Sequence, residues 1–139
     1  MPKNPWMVVS LLLASVSVQG NIYAGSFSIT INASATIDAT TESLFLSAVD
    51  FWESSLLGTQ EDIDINLVID ASTPTIDGIG NVLGSASNSS ASYLIDNGLY
   101  LYATLGSMRF DITDIRGMNQ TSIYNIILHE MAHVIGFGT

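Results

Sequence analysis

Cysteine is absent from this chain of 139 residues, so no disulfide can stabilise its fold. Basic residues are scarce as well: three Lys and Arg stand against thirteen Asp and Glu, which gives a formal charge of -10. A chain with this charge has no attraction for nucleic acid or for anionic lipid surfaces, and we expect neither as a partner. The excess of carboxylates favours solubility and suits cationic substrates, although charge alone does not select them.

An apolar run at the start of the chain is too short to cross a bilayer. Lys3 precedes a stretch from Trp6 to Val18, and small residues at Gly20 and Ala24 then offer two cleavage positions. A membrane anchor is the alternative, but a spanning helix needs about 20 apolar residues. We therefore predict a signal peptide over residues 1–24 and a secreted mature chain that is not stably inserted in a membrane. Removal of Lys3 without any acidic residue makes the mature chain still more acidic.

Histidine is rare too: His129 and His133 are the only two in the sequence, and they stand four residues apart. On a helix, such residues lie on one face about 6 Å apart at Cβ, so both imidazoles can reach one Zn²⁺ at about 2.0–2.1 Å. Glu130 lies between them, where it can take a proton from a water molecule at the metal. Residues 129–133 thus match the HExxH signature of zinc-dependent hydrolases.

The residues around this motif predict a mostly buried helix from Ile123 to Ile135. Apolar residues fall on one broad side, whereas Asn125, His129 and His133 form a narrow polar stripe opposite, with Glu130 on its flank. The alternative is a buried helix that carries two hydrogen-bonded core histidines. Two histidines in this spacing, with a glutamate between them, favour the metal site.

The ends of this helix bear on the metal ligands. Thr121 or Ser122 is a candidate N-cap, and Gly136 fits a left-handed helix stop. A glycine three residues after His133 gives the HExxHxxG form that is characteristic of metzincins. Most metzincins carry a third histidine three residues further on, where this chain has Thr139. Catalytic zinc normally takes three protein ligands and threonine is a poor one, so the third ligand is absent from this chain.

Residues 129–139 closely resemble the corresponding stretch of leishmanolysin-like metallopeptidases and their bacterial relatives, in which an insertion separates the glycine from the third histidine. Residues 105–115 are similar to the segment that these relatives carry before the active-site helix. The same is true of Asp77-Gly78 and of residues 82–86. The resemblance runs from about residue 40 to the end. It implies a Zn²⁺ cofactor held by His129 and His133, Glu130 as the catalytic base, and protein or peptide substrates.

A member of that family continues with the insertion, the third histidine and a methionine-containing turn, none of which this sequence contains. We therefore expect residues 25–139 to be the N-terminal part of a secreted zinc metalloendopeptidase domain, stopped before completion and poorly active as given. One alternative is a zincin whose third ligand is a downstream glutamate. The other is a catalytically inactive secreted β-rich binding or surface module with a vestigial zinc site. Reading the coding sequence beyond codon 139 discriminates among them.

The remaining sequence predicts an α+β fold, a mixed twisted sheet with packed helices, as in the upper half of a metzincin catalytic domain. A helix is expected to open near residues 40–42 and to end at Gly58. Residues 77–93 are rich in Gly, Ser and Asn and predict turns plus a short irregular strand, which in the resembled fold is the edge strand beside the substrate cleft. Apolar patterning predicts strands over residues 26–35, 62–70 and 99–110.

The acidic residues near these strands have two possible roles, a structural one and the binding of a cation. Asp62, Asp64 and Asn66 alternate with apolar residues, which indicates a solvated strand face rather than a calcium site. Asp111 and Asp114 follow the last strand, where a capping or turn role is expected. Electrostatic support of the active-site loop and a structural cation are the alternatives for this pair.

Overall fold

The computed structural model describes residues 25–59, 63–95 and 98–138, with the backbone alone for residues 90–100. The predicted signal peptide over residues 1–24, Asp62 and Thr139 lie outside these ranges. Within them, no helix has the length and apolarity needed to cross a membrane. The described chain forms four strands and three helices, in the order β1 (Phe27–Ala33), α1 (Ala39–Ser55), β2 (Ile65–Ser72), β3 (Gly84–Ile95), β4 (Gly98–Phe110), α2 (Ile112–Ile115) and α3 (Gln120–Ile135).

The strands form one mixed sheet in the order β1-β2-β4-β3, which confirms the predicted α+β class. β1 pairs with β2 and β2 with β4 in parallel, whereas β3 and β4 form an antiparallel pair. β3 is therefore an edge strand of the sheet in the described part of the chain. This topology does not by itself identify a metzincin.

β2 follows the predicted alternation, although it begins later than expected. Ile65, Leu67 and Ile69 are buried, whereas Asn66 and Asp70 face solvent. Asp70 accepts a hydrogen bond from the Asn32 amide on β1 at 2.7 Å, so polar side chains pair across the open face of the sheet. Period-two burial puts the apolar set on the core face, which fixes the register of this parallel strand.

α1 begins and ends earlier than the sequence suggested. Its N-cap is Asp38, whose carboxylate accepts from the Thr41 N–H at 2.8 Å, so the predicted opening at residues 40–42 is wrong by one or two residues. The helix stops at Ser55 with Leu56 as its C-cap, before the predicted stop at Gly58. Both differences arise because caps depend on which side chain reaches a free N–H or carbonyl group.

The predicted short irregular strand is instead a long one. β3 has twelve residues and pairs with β4 along its length, with one register shift between Ser89 and Ser90. Its Ser- and Asn-rich sequence has low intrinsic strand preference, so the antiparallel ladder with β4 determines its conformation. The predicted β4 is confirmed, with a start one residue earlier.

α3 lies on β3 and β4 at a point of close approach. The side chains of Ile127, Met131 and Val134 are fully buried in the core that α1 also joins. At Gly106 of β4, an added Cβ would overlap the Val134 side chain and would lie 3.1 Å from the Ser87 carbonyl oxygen. The absence of a side chain at Gly106 thus sets how near the helix comes to the sheet.

Candidate metal centre

α3 presents the HExxH residues on a helix whose two ends are both defined. Its N-cap is Asn119, whose side-chain oxygen accepts from the Ser122 N–H at 2.9 Å, so the predicted cap at Thr121 or Ser122 is wrong. The stop at Gly136 is confirmed, with φ 117° and ψ 13°. A residue with a side chain rarely adopts this conformation, and glycine permits the chain to reverse there.

The two imidazoles converge on one point. The Nε2 atoms of His129 and His133 lie 3.1 Å apart, and the ring centroids lie 4.7 Å apart with an interplanar angle of 88°. Two nitrogen ligands at about 2.0–2.1 Å from a tetrahedral zinc are about 3.3 Å from each other. The observed separation is close to this edge length, and it is also the length of a hydrogen bond between the two rings.

The Phe137 carbonyl fixes the orientation of the second ring. It lies 3.0 Å from His133 Nδ1. A carbonyl oxygen can only accept, so Nδ1 carries the proton and Nε2 of the neutral ring keeps its lone pair. In this state His129 Nε2–H donates to His133 Nε2. His129 Nε2 has to lose that proton before both nitrogens can bind a cation. A backbone partner on the far nitrogen is the usual support for a metal-binding histidine.

Neither histidine lies in the hydrophobic core. His129 is exposed and His133 is half-buried, which argues against the core-histidine interpretation. Asn125 is exposed on the same side, so the predicted polar stripe is confirmed. The ring nitrogens are accessible from outside the fold, as a ligand-exchanging metal site requires.

A groove of about 510 Å³ runs beside this site, between α3 and the loop that precedes β3. His129 and Glu130 both line it, so the proposed base and one proposed ligand face the same space. The remaining lining residues are apolar or carry amides: Asn81, Val82, Leu83, Gly84, Asn125 and Ile126. The groove can therefore hold an extended chain against the edge of the sheet.

Asp111 organises the loop that supplies one wall of this groove. Its buried carboxylate accepts from the N–H groups of Ile76, Asp77 and Gly78 at 2.6, 2.9 and 3.0 Å. The other oxygen accepts from the Thr113 N–H at 2.8 Å and caps α2. Burial alone raises the pKa of Asp111, but these four hydrogen bonds outweigh it and hold the pKa well below its usual value. The predicted capping and turn role is confirmed.

Asp114 also binds a backbone N–H group of this loop. Its Oδ1 accepts from the Gly80 N–H at 2.8 Å. Asp77, Asp111 and Asp114 bring carboxylate oxygens within 4.8 Å of one another, as a cation site also requires. Both Asp111 oxygens already accept backbone N–H groups, which explains Asp111 as a loop anchor. Asp114 Oδ2 is buried and has no hydrogen-bond partner among the described residues.

The sequence did not predict that Asn88 and Trp52 belong to this site. The Asn88 side chain donates to the carbonyl oxygens of His133 and Val134, both at 3.1 Å. Trp52 stacks on Phe137, with ring centroids 5.6 Å apart and 18° between the planes. No sequence pattern could have found these contacts, because they join the end of α3 to residues that lie on other elements, far earlier in the chain.

A comparison with protein-family models finds no match, and comparisons with curated proteins and with solved structures find none either. The resemblance to leishmanolysin-like peptidases therefore rests on the motif and its neighbouring segments. The positions of the histidine and glutamate side chains are a separate ground for a metal site, because they do not depend on any relative.

Proposed function

We propose that this chain carries the active-site helix of a secreted zinc metalloendopeptidase. The observation that carries the proposal is the convergence of two imidazole Nε2 atoms to 3.1 Å, one helical turn apart, beside a groove that Glu130 also lines. A spacing in the sequence can arise by chance. Two Nε2 atoms at the distance of two ligands of one ion are a stricter requirement, which the pair meets once His129 gives up its Nε2 proton.

Each residue has a separate role in this proposal. His129 and His133 would hold zinc through Nε2, with His133 oriented by the Phe137 carbonyl. When bound, zinc supplies Lewis acidity, which polarises a scissile carbonyl and makes water easier to deprotonate. Glu130 accepts the proton of the attacking water and passes it to the leaving amine. Gly136 lets the chain reverse and has no chemical role.

The substrate in this proposal is an extended peptide. β3 is an edge strand in the described residues, and its main-chain groups can pair with a peptide that adds to the sheet. A peptide bound in the groove would then lie near Glu130 and His129, which both line it. The side chains of Val82, Leu83 and Ile126 make the groove wall apolar, which suits a hydrophobic residue of the substrate.

A metal-binding module without hydrolysis is the second candidate, and a specific observation favours it. Among the described residues, three His, Cys, Asp or Glu side chains converge only in the aspartate cluster, and no third ligand of these types lies beside the two histidines. A site with two protein ligands binds zinc less firmly and orients it less well than a site with three. Secretion is part of both candidates and depends on the predicted signal peptide.

The test separates metal binding from hydrolysis. We expect the chain to bind zinc, measured by metal analysis after dialysis, and His129→Ala to abolish binding. Glu130→Gln should retain zinc but lower peptide hydrolysis by about 10²–10⁴-fold, the usual contribution of a general base. Thr121→Ala is the control, because Thr121 is exposed on the same helix and does not line the groove.

Three outcomes decide between the candidates. Zinc binding with hydrolysis that depends on Glu130 supports the peptidase. Zinc binding without hydrolysis supports the module. A chain that binds no zinc, or hydrolysis that is equal in Glu130→Gln, refutes the proposed role of the helix.

A further inference from the structure

The end of α3 and the turn that follows it, residues 136–138, are held by two residues that are distant in the sequence. Asn88, on β3, donates to the carbonyl groups of His133 and Val134 at the end of the helix. Trp52, on α1, stacks on the ring of Phe137 in the turn. One contact is thus made at His133 itself, and the other at the residue whose carbonyl bonds His133 Nδ1.

The contact of Asn88 adds a donor at the end of α3, where the last four carbonyls have no N–H partner further along the helix. The His133 carbonyl also accepts from the Gly136 N–H at 3.2 Å, so Asn88 is its second donor. Asn88 Nδ2 donates to the oxygens of His133 and Val134, both at 3.1 Å. Because a carbonyl only accepts, the amide orientation is unambiguous. The edge strand is thereby bonded to the helix at the second metal-binding residue itself.

The contact of Trp52 acts through packing. The indole ring of Trp52 stacks on Phe137, with ring centroids 5.6 Å apart. Phe51 packs edge-on against the same indole, with ring centroids 5.3 Å apart. The indole nitrogen is buried and has no hydrogen-bond partner among the described residues. The ring therefore contributes by stacking, and what it stacks on is the residue whose carbonyl accepts from His133 Nδ1.

This arrangement determines which nitrogen of His133 is free. An unconstrained histidine in water favours the Nε2–H tautomer, which cannot present an Nε2 lone pair to a metal. The hydrogen bond to the Phe137 carbonyl selects the Nδ1–H tautomer instead. If the turn moved away from the ring by about 1 Å, that hydrogen bond would be lost.

We propose that Asn88 and Trp52 are positioning residues of the metal centre, which hold the turn after α3 so that Phe137 keeps His133 in its metal-binding tautomer. The inference rests on the proposed function for its metal, but the tautomer exists without one. The two side chains contact the end of α3 and the ring of Phe137, and neither is bonded to an imidazole nitrogen in these contacts. Their effect reaches the site through the backbone of the turn.

The first test uses the metal-free full chain with ¹⁵N-labelled histidine at alkaline pH. The chemical shifts of the ring nitrogens report the tautomer of each histidine. We expect wild type to hold His133 as Nδ1–H and His129 as Nε2–H. Asn88→Ser and Trp52→Leu should convert His133 to a mixture dominated by Nε2–H, whereas Trp52→Phe, which keeps a stacking ring, should retain the wild-type tautomer.

Two control variants lie on the same elements as Asn88 and Trp52 but away from the turn. One removes a polar side chain and the other an apolar side chain. Ser85→Ala changes an exposed residue of β3, and Leu46→Ala changes a side chain of α1 that is 54% exposed. Both should leave the tautomer unchanged. Circular dichroism is used to check that each variant is folded. Asn88→Ser changes an exposed side chain, so this variant still tests the inference if Trp52→Leu does not fold.

The second test measures zinc affinity by competition with a chromogenic chelator. Asn88→Ser and Trp52→Leu should weaken binding by about 10–100-fold, as is usual when the partner of a metal-binding histidine is lost. A folded Asn88→Ser chain with the wild-type tautomer overturns the inference. If wild type binds no zinc while the tautomer still shifts in the variants, the positioning role stands and the proposed function fails.

Discussion

Gly106 is the position at which one added methyl group should move α3. An alanine Cβ there would overlap Val134, whose side chain is completely buried, and would press on the Ser87 carbonyl at 3.1 Å. Carbon atoms require about 3.5–4.0 Å, so helix and strand must separate by about 1.3–1.8 Å or the Val134 side chain must rotate. Overpacking of this kind costs about 1–3 kcal/mol.

The magnitude can be checked with a double-mutant cycle followed by urea unfolding. Gly106→Ala should lower the free energy of unfolding by about 1–3 kcal/mol. Val134→Ala should also lower it, by about 1–3 kcal/mol, because it removes two buried methyl groups. The double variant should lose less than the sum of the two, since the smaller side chain makes room for the new Cβ.

Gly117→Ala is the matched control. Gly117 has its nearest neighbour, the Asp114 carbonyl oxygen, at 3.6 Å, which is ordinary contact, so its substitution should change stability little. The reasoning is refuted if Gly106→Ala costs no more than Gly117→Ala, or if the two losses in the cycle simply add. Because Val134 follows His133, Gly106→Ala should also weaken zinc binding.

The caps and the loop anchor should each respond to a single substitution. Asp111→Asn should lower the melting temperature at neutral pH and flatten its dependence on pH. The stabilisation by Asp111 is present above the unfolded pKa of about 3.9 and is lost as pH falls through the lower folded pKa, so unchanged acid sensitivity of the variant contradicts the anchor. Asp38→Ala should cost about 1 kcal/mol in urea unfolding, whereas Asp50→Ala on the same helix should cost much less. Gly136→Ala meets no atom within 4 Å, so a loss of about 1–2 kcal/mol would come from the backbone conformation alone, and no loss would contradict the left-handed stop.

The helix that carries the candidate site was predictable because its signals are local. Apolar residues recur every three to four positions, and a glycine follows the last of them. Both signals depend only on the geometry of one helix. The same holds for β2, where alternation determined which residues face the core. The N-cap was missed because Asn119, Thr121 and Ser122 can all cap, and the choice among them depends on the backbone that leads in.

What the sequence determined by itself is the pair of histidines on one helical face, with a glutamate between them and a left-handed stop behind them. The tertiary structure decided that β3 is a long edge strand, that Asp111 gathers the loop beside the groove, and that Asn88 and Trp52 reach the turn after α3. The physical reason is the range of the interactions. A helix repeats over a few residues, whereas these partners meet only once the order of strands in the sheet is set.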